Sequence, residues 1–291
     1  MRVGLERGGE LRRRRHARWG RPAVDAPTTP HASSVFDAFA DAGVEVRSYD
    51  CLNHGASAGE PRDVGLVPRV TFLVDDMRAA LATAAAAHPG VPLFAMGHSM
   101  GGLIALLSVL GVATTPGATP PPLPTLAGLI LSSAAVDVEW TPLLRIQAPL
   151  GGLLAALAPR ARIVPAVDPS MLSPDPACVA AYVNDPLNFV GPVRARTGNE
   201  LLKGFRAAAA ALAARGGLDA PPLLAIHGDA DRCTSLRAVK AVVDGAADGE
   251  LVVVPGGFHE LLHGATAPAA IKILLDWTLA RARDKVRVSK M

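Results

Sequence analysis

Cysteine is scarce in this 291-residue chain: Cys51, Cys178 and Cys233 stand far apart with no paired ligand spacing. That excludes a disulfide framework and a zinc site, and it fits a reducing compartment. A run of about 18 uninterrupted apolar residues is also absent, so no membrane-spanning helix is expected, and only surface association with lipid stays open. The N-terminus lacks an apolar signal core, and its Arg-rich stretch carries Glu6 and Glu10 and almost no Ser, which makes a poor transit peptide. A cytoplasmic location is expected. Basic charge is missing from the body of the chain. The net charge of +3 conceals eight Arg within the first 24 residues, a local balance of +6 that leaves −3 on the remainder. No specific nucleic-acid surface is therefore expected, and residues 1–30 read as a basic, solvated arm.

Half of the residues are hydrophobic, enough for one large core. Strand-like runs alternate with helical ones: a strand at Val44–Tyr49, a helix near Phe72–His88, a strand at Val91–Met96, a helix at Ser99–Leu110 and a strand at Leu126–Ser132. The pattern resumes with a strand at Pro222–His227, a helix at Ser235–Asp244, a strand at Leu251–Val254 and a last helix near Pro268–Arg283. Such alternation predicts an α/β fold, a doubly wound, mostly parallel sheet with helices on both faces. Residues from Val136 to about Ala214 break it with nine prolines, too many for sheet strands, yet keep apolar helical pieces such as Leu150–Leu157. The division expected is arm 1–30, core 31–135, inserted helical cap 136–214 and core 215–291. Thr115–Pro124 reads as an exposed Pro-rich connection.

The chemistry is concentrated at Val91–Gly102, an apolar run ending in Gly-His-Ser-Met-Gly and continuing as a helix. A serine hydroxyl is a weak nucleophile unless a base reaches it and backbone N–H groups meet the developing oxyanion, and a strained strand-to-helix turn provides both. The pentapeptide is weak by itself; its strand and helix context gives it weight. Gly97 and Gly101 are expected to supply the room for the turn, with Gly102 extending it. Ser99 then needs a histidine, and the histidine an anionic partner. Asp229 and Asp231 follow one later strand and His259 follows the next, in the chain order Ser, Asp, His. From the residues alone both aspartates remain candidates. His227 is expected as a structural group at a strand end, His54 as a loop former, His263 on the last helix and His98 without need to touch substrate. Cys233 stands near enough to Asp231 to weigh thiol sensitivity against a buried, inert thiol.

Asn53-His54-Gly55-Ala56-Ser57, Gly97-His98-Ser99-Met100-Gly101-Gly102, Asp185-Pro186-Leu187, Gly228-Asp229-Ala230-Asp231-Arg232 and Gly257-Phe258-His259 occur in that order. With them the chain, from about Ser33 to the last helix, resembles the monoacylglycerol lipase and lysophospholipase branch of the α/β-hydrolases. The resemblance implies nucleophile Ser99, acid Asp231 and base His259, with hydrolysis of monoacylglycerols, lysophospholipids or similar acyl esters, a lipid partner and no cofactor or metal.

The chain also departs from that pattern. One oxyanion donor is the N–H of Met100, but the second follows a His-Gly pair that closes a central strand, and Ala26-Pro27 stands where that pair belongs. Thr28 becomes the nominal second donor, with Arg21–Val24 as a stunted strand. The strands that precede this point in the family have no counterpart in residues 1–30, so the N-terminal strands read as missing or degenerate. This motivates two alternatives, a truncated, noncatalytic ligand-binding member and an acyltransferase that uses the same triad. Ser289-Lys290-Met291 is similar to a peroxisomal address, the alternative location.

Overall fold

The computed structural model describes residues 35–57, 59–111, 122–215 and 220–288. In chain order the helices are α1 (Val35–Asp41), α2 (Val70–Ala87), α3 (Met100–Leu110), α4 (Pro142–Gln147), α5 (Gly151–Leu157), α6 (Pro176–Asn184), α7 (Ala195–Arg215), α8 (Leu236–Asp244) and α9 (Ala267–Val288). The strands are β1 (Phe94–His98), β2 (Gly128–Ser132), β3 (Arg162–Val164), β4 (Val193–Arg194), β5 (Leu223–Gly228) and β6 (Gly249–Val254).

The central sheet runs β1-β2-β5-β6 and every pairing in it is parallel. Parallel strands need covering on both faces, and the alternation of side chains shows how that is met. Leu129, Leu131, Leu223 and Ala225 point into a cluster with Leu73, Val74, Leu103 and Leu107 of α2 and α3. The intervening Ile130, Leu224 and Ile226 point the other way, against Phe39 of α1 and Leu274 and Trp277 of α9. Gly128 is the point of closest approach on that second face: a Cβ there would lie 2.5 Å from the Trp277 ring. The central strands β2 and β5 are buried along their whole length.

The strand expected at Val44–Tyr49 is not one. Its alternating valines do pack, since Val44 and Val46 sit against the second cluster. A strand is defined by a hydrogen-bonded neighbour as well as by its side-chain pattern, and among the described residues nothing forms a ladder with this segment. β1 also lies two to three residues later than expected and runs through His98, so the chain turns at Ser99 directly out of the strand.

Between β2 and β5 the chain is mostly helical, as its proline spacing suggested. Where the prolines predict no sheet strands, it also contains a short antiparallel ribbon of β3 with β4. The ribbon is so short that Pro159, Pro165 and Pro192 fall just outside its paired residues. The segment is fastened to the body through α7. Thr197 Oγ1 donates to the Gly65 carbonyl (2.8 Å) and accepts from the Val67 N–H (2.9 Å), while Glu200 accepts from Val70 N–H (3.2 Å), one of the donors left open at the start of α2. Among the described residues no helix is long and apolar enough to cross a membrane.

Candidate active site

The site lies where the parallel strands end. β1 terminates at His98 and α3 begins at Met100, leaving Ser99 as the turning residue with φ 52° and ψ −121°. A positive φ is costly for a side-chain-bearing residue and persists only where the surroundings enforce it. They do so here: Ser99 N–H donates to the Ser132 carbonyl (3.0 Å), and the Ser99 carbonyl accepts from Ala135 N–H (2.9 Å) and Gly102 N–H (2.9 Å). The close packing depends on Gly97 and Gly102. A Cβ on Gly97 would meet the Gly101 carbonyl oxygen at 2.2 Å, and one on Gly102 would meet Ala134 Cβ at 2.5 Å. Gly101, expected to share this task, faces open space and is not crowded.

Two later turns meet the elbow. After β5, Asp231 accepts the N–H groups of Cys233 (2.7 Å) and Thr234 (3.1 Å) at Oδ1 and the Thr234 hydroxyl at Oδ2 (2.8 Å). Burial opposes its ionisation, but the hydrogen bond and charge of His259 and these backbone donors outweigh it and hold the carboxyl down at about 2. After β6, Gly256 turns at φ 65°, and Gly228 and Gly257 come so close that a Cβ on Gly228 would lie 2.0 Å from the Gly257 oxygen. That contact carries His259 across the strand ends.

His259 Nδ1 lies 2.9 Å from Asp231 Oδ2, and His259 Nε2 lies 2.9 Å from Ser99 Oγ. An ionised carboxylate only accepts, so the proton of the neutral ring sits on Nδ1 and the Nε2 lone pair faces the serine hydroxyl. Asp229 is turned elsewhere: its Oδ1 accepts the Gly256 N–H at 2.6 Å and so holds the turn before His259. Met100 opens α3, where a first-turn N–H has no intrahelical acceptor and is free to meet an anion.

The other sequence candidates fall into place around this arrangement. His227 is fully buried at the end of β5, its Nε2 3.4 Å from Asp231 Oδ2 without hydrogen-bond alignment. His54 stays in its loop, with Nδ1 2.9 Å from the Leu52 carbonyl. His263 is not on the last helix: the chain after His259 makes a loop and a short 3-10 turn, and α9 begins only at Ala267. The ligand atoms of Asp231, Cys233 and His259 converge within 4.8 Å, the spacing of a metal site. Those atoms are already engaged, both ring nitrogens of His259 with Asp231 and Ser99 and both Asp231 oxygens with His259, Cys233 and Thr234, while burial pushes the Cys233 thiol up. Thr28, the strand expected at Arg21–Val24 and Ser289-Lys290-Met291 lie outside the described residues, as does most of the Pro-rich connection.

Sequence reasoning missed three residues that shape the site. Thr234 donates to Asp231, Ser133 Oγ donates to the His259 carbonyl (2.8 Å), and Glu260 lies within reach of both His98 (3.3 Å) and His263 (3.0 Å). Only Glu260 carried a signal, its place directly after His259.

A family model described as serine aminopeptidase S33 matches residues 30–265. The monoacylglycerol lipase of Mycolicibacterium smegmatis is 32% identical over 253 residues, which cover 84% of this chain and 82% of that protein. The monoglyceride lipase of Homo sapiens is 28% identical over 74% of this chain and 66% of its own length. Among solved structures, a soluble variant of monoglyceride lipase from Saccharomyces cerevisiae in complex with a substrate analogue superposes with a TM-score of 0.69 at 20% identity, over 85% of this chain and 80% of that one. With the family model spanning most of its length and a lipase relative aligned along most of both proteins, the chain belongs to the serine aminopeptidase S33 family and is a carboxylic ester hydrolase of the α/β-hydrolase fold.

Proposed function

We propose that the protein hydrolyses monoacylglycerols, or closely related acyl esters such as lysophospholipids, through an acyl-enzyme on Ser99. The observation that carries this reading is the pair of 2.9 Å contacts from His259 to Ser99 and to Asp231, with Ser99 held at φ 52°. His259 Nε2 accepts the Ser99 proton as Oγ attacks the ester carbonyl. Asp231 keeps the ring in the required tautomer and stabilises the imidazolium. The tetrahedral oxyanion takes the Met100 N–H, with Thr28 N–H as the nominated second donor. His259 returns the proton to the departing glycerol oxygen, and a water activated by the same ring then releases the fatty acid. The lipase names of the relatives support the substrate class.

The surface supports a lipid partner of a particular kind. Leu143, Ile146, Leu150, Leu153 and Leu157 recur at intervals of three and four along the continuous helical stretch Pro142–Leu157, and each is half or more exposed. From Trp140 to Val167 there is no acidic residue, while Arg145 and Arg162 are present and Arg160 is paired with Asp63 at 2.7 Å. Arg145 and Arg206 also line an open cavity of about 320 Å³ beside Trp140. An exposed apolar stripe with cationic flanks fits the plane of an anionic lipid surface, from which a monoacyl ester could be drawn.

The test is hydrolysis of a monoacylglycerol series and of a lysophospholipid by the purified protein, with product analysis for free fatty acid and glycerol. Release of both from monoacylglycerol supports the reading. Transfer of the acyl group to an added alcohol in place of release would make the protein an acyltransferase, and a folded protein that turns over no acyl ester would contradict the assignment.

A further inference from the structure

We infer that Glu260 and His98 are positioning residues whose contact fastens the nucleophile elbow to the histidine loop and so sets the Ser99–His259 distance. The inference rests on the reading of Ser99 as nucleophile and His259 as base. His98 immediately precedes Ser99, and Glu260 immediately follows His259. Across a sequence gap of 162 residues His98 Nε2 lies 3.3 Å from Glu260 Oε1, so the two neighbours of the reacting pair are themselves paired.

Each partner is anchored a second time. His98 Nδ1 lies 3.3 Å from Ser132 Oγ, and the His98 ring packs against the His259 ring with centroids 4.9 Å apart at 51°. Glu260 Oε2 lies 3.0 Å from His263 Nδ1, and the Glu260 N–H donates to the Leu172 carbonyl (2.8 Å). Leu172 belongs to the segment between β2 and β5, so Glu260 joins three parts of the chain: elbow, histidine loop and the segment over the strand ends. The pair is mostly shielded, with side chains 27% and 21% exposed for His98 and Glu260.

The electrostatics favour a charged contact. Burial works against His98 taking a proton, but the charge and hydrogen bond of Glu260 more than offset it and raise its pKa. Burial likewise opposes ionisation of Glu260, and the charges and hydrogen bonds of His98 and His263 reverse that and hold the carboxyl well below its ordinary range. A shielded ion pair placed directly behind two groups that must meet at hydrogen-bond distance acts on their geometry more than on substrate affinity. Misplacement of reacting groups by about 1 Å can cost on the order of 100-fold in rate.

The experiment is a double-mutant cycle on the intact protein, with Glu260→Gln, His98→Gln and the double variant, read by the rate of Ser99 modification by a fluorophosphonate. Circular dichroism checks the fold of each. The expected result is that either single substitution lowers the limiting rate about 10-fold or more, leaves the half-saturating probe concentration unchanged, and that the double variant is no slower than the slower single. Wild-type limiting rates in both singles, or a double variant slowed by the product of the two effects, would overturn the tether while leaving Ser99 as nucleophile. A folded wild type that the probe does not modify would overturn the Ser99 reading and this inference with it. If Glu260→Gln does not fold, the same limiting-rate comparison in His98→Gln decides between a positioning role and none.

Discussion

Ser133 and His259 are 126 residues apart, yet the Ser133 hydroxyl donates to the His259 backbone carbonyl at 2.8 Å. Ser133 itself sits at φ 42°, just past the end of β2, with its N–H bonded to the Ile226 carbonyl of β5 at 2.9 Å. The central strands therefore hold the backbone of the histidine loop directly. Ser133→Ala removes one of the two donors on that carbonyl, the Leu261 N–H remaining at 3.1 Å, and should cost about 1 kcal/mol of stability. It should also lower kcat by less than removal of Ser99 or His259 does. Urea unfolding beside ester kinetics checks both; unchanged stability with unchanged kcat would show that the bond does no positioning.

Gly97, Gly101 and Gly102 separate by environment although they share a motif. Gly101→Ala meets nothing within 4 Å and should leave stability within about 0.5 kcal/mol of wild type. Gly97→Ala and Gly102→Ala run into the Gly101 carbonyl at 2.2 Å and Ala134 Cβ at 2.5 Å. Overpacking of that kind should cost about 1–3 kcal/mol or more and reduce Ser99 reactivity. Thermal unfolding of the three variants in parallel tests the ranking, and equal losses at all three would refute it.

Acid stability should carry the mark of Asp231. Its carboxyl is held at about 2 in the folded protein against an ordinary value of 3.8. A depressed carboxyl contributes stability that is present in full above the unfolded value and is lost as pH falls from there through the folded value. The contribution is on the order of 2 kcal/mol at neutral pH. Asp231→Asn removes this titration, so the stability difference between wild type and the variant should shrink between pH 4 and pH 2, as measured by urea unfolding at each pH. A difference that stayed constant through that window would contradict the assignment.

The exposed stripe on Pro142–Leu157 should bind lipid. In vesicle flotation the wild type should rise with vesicles containing phosphatidylserine and less with neutral ones, and added salt should weaken the association. Replacing Ile146 and Leu153, which are 67% and 58% exposed, by Ser should abolish flotation and leave hydrolysis of a water-soluble ester unchanged. Flotation of that variant at the wild-type level would remove the stripe from the account.

What the sequence disclosed and what it hid have a common physical basis. Ser99 and His259 stood out because each lies in a local motif at a strand end, where glycines, turn geometry and chain order act over a few residues, whereas Asp229 and Asp231 share one such motif and only the likeness to the family favoured Asp231. The parallel sheet was legible through the alternation of short apolar runs, such as Leu126–Ser132, with helical stretches between them. Ser133 and the pairing of Glu260 with His98 were illegible because the partners are brought close only by the fold, His98 at 162 residues' remove from Glu260 and His259 at 126 from Ser133, whereas Thr234 was overlooked although Asp231 stands three residues before it. Val44–Tyr49 misled because side-chain alternation does not ensure a neighbour in the ladder. His263 was misplaced by carrying helical spacing into a segment where Gly264, at φ 66°, turns the chain before α9 begins.

The most direct test of the account is to treat the purified protein with a fluorophosphonate and to locate the adduct by peptide mass spectrometry, with Ser99→Ala and His259→Ala alongside. The account predicts a single modification on Ser99, absent from Ser99→Ala and slowed by about 1,000-fold or more in His259→Ala, with both variants folded. A modified residue other than Ser99, or a wild-type rate in His259→Ala, would contradict it.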